Sequence, residues 1–190
     1  MLIRTISRAT GFAGAASVVA IAAATGAFAS AEGPWEVEVW DPPFDMASPR
    51  ETIMYEPLQS AEEEWEICVS FPHMKDPYWL AVNYGAADQA EHLGVKMQLV
   101  EAGGYTELAT QINQVEDCVA AGADAVVLGA ISNDGLNNLI AELAADGIPV
   151  IDVINGVSSP DITAKALVSF GELGQIAGEF LAERHPEGSD

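Results

Sequence analysis

Three observations predict an α/β fold, a doubly wound parallel sheet, for most of this chain. Apolar runs at 67–71, 95–100, 125–129 and 149–154, marked by Cys68, Met97, Val126 and Ile151, recur about 29, 29 and 25 residues apart. They are continuous rather than alternating, as strands covered on both faces are. Between them lie stretches with apolar residues at i, i+3 and i+4, each stopped by a glycine where a left-handed helix cap is wanted. Such strands and helices assemble as right-handed βαβ units. With 190 residues, 49% of them hydrophobic and only 19% charged, the chain has enough apolar matter for a packed core.

The elements follow in chain order. Residues 1–31 contain no acid, and Arg4 and Arg8 precede a small-residue and apolar run, then Ala27-Phe28-Ala29 and Ala29-Ser30-Ala31. This reads as a secretory signal peptide cleaved near Ala29 or Ala31, which sends the protein to the periplasm. The rival reading is an uncleaved anchor, since 11–29 is near the lower limit for crossing a bilayer, but its Ala and Gly content makes it weakly apolar. Residues 32–64, with Pro34, Pro42, Pro43, Pro49 and Pro57 and the run Glu62-Glu63-Glu64, read as an extended arm. Its Trp35, Trp40, Phe44 and Tyr55 are too many for a free linker and predict packing on the domain or a partner.

Residues 65–190 form the lobe. After the first strand comes Phe71-Pro72-His73-Met74-Lys75-Asp76-Pro77-Tyr78-Trp79, where Asp76 suits an N-cap and Pro77 the first helical position. The first helix carries Trp79, Val82, Ala86, Ala90 and Leu93 and stops at Gly94; the second carries Leu108, Ile112, Val115 and Val119 and stops at Gly122; the third carries Leu136, Leu139, Ile140 and Leu143 and stops at Gly147. A fifth apolar run, 166–170, and an amphipathic helix with Leu173, Ile176, Ala177, Phe180 and Leu181 complete the pattern. The last five residues, 186–190, read as a loop rather than a terminus.

In open parallel sheets, ligands bind outside the carboxyl ends of the strands. Tyr78 and Trp79 lie in the first helical turn at that end, so at least one ring is expected in the crevice; the alternative packs both under the helix, since Trp79 also opens the apolar stripe. Gly103 and Gly104 permit backbone angles that aim Tyr105 into the same crevice. Three converging aromatics suit a methylated ammonium-like group through the attraction between ring faces and positive charge. They equally suit a sugar by stacking. Ile131-Ser132-Asn133-Asp134 and Asn155-Gly156 supply polar groups to orient a ligand, and His73 bonds either a ligand oxygen or nearby backbone.

A formal net charge of −22 repels phosphate backbones, which excludes nucleic acid as a partner and disfavours anionic lipid. The three histidines, His73, His92 and His185, lack metal-ligand spacing, and no nucleophile motif or phosphate loop is present. No catalytic residue, metal or cofactor is therefore assigned, and the chain reads as a binding protein rather than an enzyme. Export would allow Cys68 and Cys118 to pair; the alternative is two buried free thiols.

The exported lobe with its ligand loops resembles the type 1 periplasmic binding proteins, whose sugar-binding members close two lobes on a solute. The stretches 71–85, Glu101-Ala102-Gly103-Gly104-Tyr105 and Leu181-Ala182-Glu183-Arg184-His185-Pro186 resemble more closely the TorT-type members of the trimethylamine N-oxide respiratory system. That resemblance implies capture of trimethylamine N-oxide, signalling to the periplasmic domain of a TorS-like sensor histidine kinase, and contact with the membrane only through that kinase. It implies Tyr78, Trp79 and Tyr105 as ligand-contacting aromatics and Asp76 as a loop support or ligand partner. The donor for the oxide is left open between His73, Asn155 and a residue of a second lobe. The chain stops where that lobe would start, so the expectation is an N-terminal lobe from an incomplete sequence, binding weakly alone. In such a fold Cys68 and Cys118 fall at one pole, which supports the disulfide. The alternative function is the substrate-binding protein of an ABC transporter for a sugar or other small solute; an exported enzyme and an interaction module working through the arm are further classes.

Overall fold

In a computed structural model of the chain, residues 33–45 and 47–186 are described, so residues 1–31, read above as a signal peptide, lie outside the described residues. The apolar runs become β3 (Glu66–Phe71), β4 (Lys96–Glu101), β5 (Ala125–Leu128), β6 (Val150–Ile154) and β7 (Ala164–Leu167). The connecting helices are α1 (Pro77–Leu93), α2 (Leu108–Ala120) and α3 (Asn137–Ala145), and α4 (Phe170–Arg184) closes the series. The five strands form one sheet, all parallel, in the order β4-β3-β5-β6-β7. β3, the first strand of this sheet in the chain, lies inside it between β4 and β5, and the order reverses there, as double winding requires.

Alternation along β3 divides the core. Cys68 belongs to the cluster beneath α2 and α3, with Val115, Cys118, Val126, Leu128, Leu139, Ile140, Leu143 and Val150. Val69 and Phe71 face the other side and pack with Trp79 of α1. Burying each large apolar side chain contributes about 1.5–3 kcal/mol, so the α2–α3 face holds most of the stability.

The helix boundaries follow from their capping residues. Asp76, extended at φ −123° and ψ 160°, accepts the Trp79 amide at 2.9 Å, and Pro77 follows at the first helical position. Gly94, at φ 73°, ends α1 in the left-handed region that a side chain resists. The fifth strand departs from expectation: it pairs Ile151–Ile154 of β6 with Ala164–Leu167, two residues earlier than the apolar run implied. Phe170 instead opens α4, because the Ser169 hydroxyl caps the Glu172 amide at 3.3 Å. The predicted stripe of α4 forms, but Leu173, Ile176, Phe180 and Leu181 are all more than half exposed.

The arm is more regular than its prolines suggested. β1 (Trp35–Trp40) and β2 (Arg50–Tyr55) make an antiparallel hairpin, paired from Trp35 with Tyr55 to Trp40 with Arg50. The sequence Trp-Glu-Val-Glu-Val-Trp alternates with period two, the signal that the surrounding prolines masked. The Trp35 and Tyr55 rings stack at 6.1 Å, and Arg50 pairs with Glu38 at 2.6 Å.

Cys68 and Cys118, both fully buried, form a disulfide across a Cα separation of 6.0 Å. It ties β3 to α2 and closes a loop with sequence separation 50. By chain entropy that contributes about 4 kcal/mol.

Candidate functional site

The carboxyl ends of the strands carry the site. The Asp76 cap sets the start of α1 and so places Trp79 in its first turn, with its ring centroid 4.9 Å from that of Phe71. Gly129, at the end of β5, leaves room for both rings: a Cβ there would lie 2.7 Å from Trp79 Cη2 and 3.0 Å from Phe71 Cδ1. Trp79 is thus a buried floor rather than a free wall. Its indole N–H still needs a partner, and it donates to Tyr105 Oη at 3.2 Å.

Tyr105 arrives from the loop after β4, where Gly103 and Gly104 take φ values of 95° and 154°. Lys75 Nζ donates to the Gly103 carbonyl, which fastens the first two ligand loops to each other. Asn155 Nδ2 donates to Ala130 O at 2.8 Å and to Tyr105 Oη at 3.3 Å, drawing in the third and fourth. The His73 ring meets Tyr105 edge-on at 5.4 Å. Its Nδ1 accepts the Lys75 amide at 3.3 Å, while Nε2 lies 3.7 Å from Asp76 Oδ2. Tyr78 stands edge-on to Trp79 at 5.8 Å and is 46% exposed. Partial burial, and then the neighbouring Tyr105, raise the Tyr78 phenol above the usual tyrosine range.

All six residues singled out in the sequence, His73, Asp76, Tyr78, Trp79, Tyr105 and Asn155, therefore lie in one connected cluster. Tyr78 and Tyr105 are its exposed rings. By contrast, Ser132, Asn133 and Asp134 are taken up locally: Ser132 Oγ accepts the Gly135 amide at 3.0 Å, and Asp134 Oδ1 accepts from Asn133 and Ser158. A depression of roughly 210 Å³ at the opposite pole, lined by Lys96, Met97 and Cys118 among others, touches none of the cluster. No group of three or more His, Cys, Asp or Glu residues able to hold a metal occurs among the described residues.

Sequence reasoning missed three supporting residues. Gln111, fully buried on α2, donates to Ser70 Oγ and Gly129 O and accepts the Ile131 amide at 2.9 Å, so it shapes the loop that presents Ala130 O. Asp152 and Lys165 pair inside the sheet at 3.7 Å. The available signal was polarity out of place: a glutamine between Leu108 and Ile112, and an aspartate within Val-Ile-Asp-Val-Ile.

The fold accords with the comparisons. The periplasmic binding protein domain matches residues 67–190. The periplasmic protein TorT of Escherichia coli K12 is 35% identical over 123 residues, 65% of this chain and 35% of that protein. Among solved structures, an ABC transporter solute binding protein from Bradyrhizobium sp. BTAi1, with bound bis-tris, is 57% identical with a TM-score of 0.76. That match covers 82% of this chain and 47% of the other. The complex of the TorS sensor domain with TorT in the presence of TMAO contains a chain 35% identical, at a TM-score of 0.59, covering 64% of this chain and 42% of the other. The chain thus spans about a third of the curated relative and under half of each solved one. The Bradyrhizobium likeness covers more than residues 65–190 alone can supply, so it extends into the hairpin segment.

Proposed function

The chain belongs to the periplasmic binding protein domain family, and from that premise we propose that it is a periplasmic solute receptor whose described lobe forms one wall of a site for a small tertiary amine oxide. Trimethylamine N-oxide is the reference ligand. The observation that carries this reading is the Tyr105 hydroxyl. It accepts from Trp79 Nε1 and from Asn155 Nδ2, so its own hydrogen is left to donate to a third group. A single outward donor among aromatic rings suits a ligand with one oxygen and N-methyl groups of partial positive charge. A sugar asks for several polar partners, whereas here Asp76 Oδ1 is used by the helix cap and the Asn155 amide hydrogens by Ala130 and Tyr105.

Tyr105 is half exposed, so the second wall belongs to residues beyond this lobe, and the lobe alone binds weakly. No covalent step is involved: capture and release are the whole activity. Residues 1–31 are the signal peptide, removed near Ala29 or Ala31, and 32–64 are an arm appended to the lobe. The TorT likeness supports an output to the periplasmic domain of a TorS-like sensor histidine kinase. A second output, delivery to an ABC transporter, is favoured by the Bradyrhizobium protein, whose likeness reaches the hairpin and whose bound bis-tris is a tertiary amine.

Calorimetric titration with trimethylamine N-oxide, with ribose and glycine betaine as controls, tests the ligand. The expected result is saturable heat with the amine oxide alone, weakened about tenfold or more in Tyr105→Phe, the worth of a hydrogen bond to a charged acceptor. Heat with ribose alone would move the protein to sugar transport.

A further inference from the structure

Asp152 is the one fully buried carboxylate among the described residues, and it lies in the middle of β6 rather than in a loop. Its partner in the register of β7 is Lys165, whose Nζ lies 3.7 Å from Asp152 Oδ2. Both side chains also hold one backbone residue. Asp152 Oδ2 accepts the Val157 amide at 2.8 Å, and Lys165 Nζ donates to the Val157 carbonyl at 2.6 Å. Val157 is thus gripped at its donor and at its acceptor.

Four residues, 153–156, lie inside this clamp, and Ile154 among them is strained. Ile154 takes φ 70°, a value that a β-branched residue resists, and the Asn155 amide bonds back to Val153 O at 2.8 Å, closing a γ-turn of the rare positive-φ kind. That turn sends the Asn155 side chain toward Ala130 O and Tyr105 Oη. Strained backbone persists only where its surroundings over-determine it. Stability alone is a poor reason for the pair, because a well-packed apolar pair commonly does as well as a buried ion pair. The cost is visible in Asp152 itself: burial raises its carboxyl group above the usual range against the pull of the Val157 amide and Lys165, and its Oδ1 has no partner.

We infer that Asp152 and Lys165 are positioning residues of the ligand end: by clamping Val157 they hold Ile154 in its strained turn, so that Asn155 fixes the Tyr105 hydroxyl against the Trp79 indole. The consequence for ligand affinity rests on the reading of Tyr105 given above; the mechanical link does not.

The link is read from the indole N–H resonance of Trp79 in nitrogen–proton correlation spectra of the full chain, beside those of Trp35, Trp40 and Trp65. In Asp152→Asn and in Lys165→Met, the Trp79 resonance shifts and exchanges faster with solvent, while the hairpin indoles of Trp35 and Trp40 stay in place. In Asp152→Asn combined with Ile154→Gly it returns toward its original position, because glycine adopts the turn without the clamp. A folded single variant with the Trp79 resonance unmoved overturns the inference. So does loss of the fold in both single variants and in Asp152→Asn combined with Lys165→Met, since the pair would then serve the fold itself. In the shifted variants, affinity for trimethylamine N-oxide falls about tenfold. If the unaltered protein binds no amine oxide while the resonance still moves, the ligand reading fails and the positioning role stands.

Discussion

The two ends of the sheet are built by different means. At the amino ends of the strands the main tie is covalent: the buried disulfide joins β3 to α2 across a sequence separation of 50, and α1, α2 and α3 each turn into the next strand within a few residues of a glycine. At the carboxyl ends the ties are polar, long-range and few. Lys75, Gln111 and Asn155 connect segments 18 to 50 residues apart through hydrogen bonds alone. The first end can lose a contact and keep its shape, whereas the second is arranged around exposed rings. Chemistry at one end is made possible by rigidity at the other.

Breaking the disulfide tests the division most severely. Reduction, or Cys68→Ala with Cys118→Ala, lowers unfolding free energy by about 4 kcal/mol in denaturant titration. The affinity of the folded protein for its ligand stays unchanged; a parallel loss of affinity would erase the distinction. Thiol titration of the unfolded, unreduced protein finds no free thiol.

Gly129→Ala attacks the other end. The added methyl lies too close to Trp79 and Phe71, both of them rigid rings, and overpacking of this kind costs about 1–3 kcal/mol. Here thermal stability and ligand affinity fall together. Unchanged affinity would mean that the buried face of Trp79 has no bearing on the site.

The smallest effect sharpens the picture of the exposed rings. Because the folded Tyr78 phenol is raised above its ordinary value of 10.0, its neutral form is the one the fold favours. That contribution is fully present below pH 10.0 and disappears as pH rises through the raised value. Phenolate absorbance across alkaline pH shows a late-titrating component that is absent in Tyr78→Phe. A component lost in Tyr78→Phe that titrates at the ordinary value of 10.0 would place Tyr78 in free solvent.

The fold was legible because it is written in local pattern: apolar runs, helical spacing, and capping residues such as Asp76 and Gly94. The convergence of Tyr105 and Asn155 on α1 followed from the rule that loops leaving parallel strands share one crevice. What the pattern does not contain is direction and partnership. Trp79 serves both the apolar stripe and the site, and only Gly129, fifty residues on, decides that its ring lies flat in the core. Gln111 and Asp152 look like interruptions of apolar segments until their partners on other elements are known. The hairpin went unread because prolines, usually breakers, sit beside its strands rather than within them.

Helix α4 has a further physical consequence. Its apolar stripe, from Phe170 to Leu181, is more than half exposed on this lobe, and a patch of this kind is an adhesive. A lobe bearing it uncovered behaves as an amphiphile, and its solution properties depend on how much of it is present: crowding, surfaces and other apolar faces all compete for the same side of one helix.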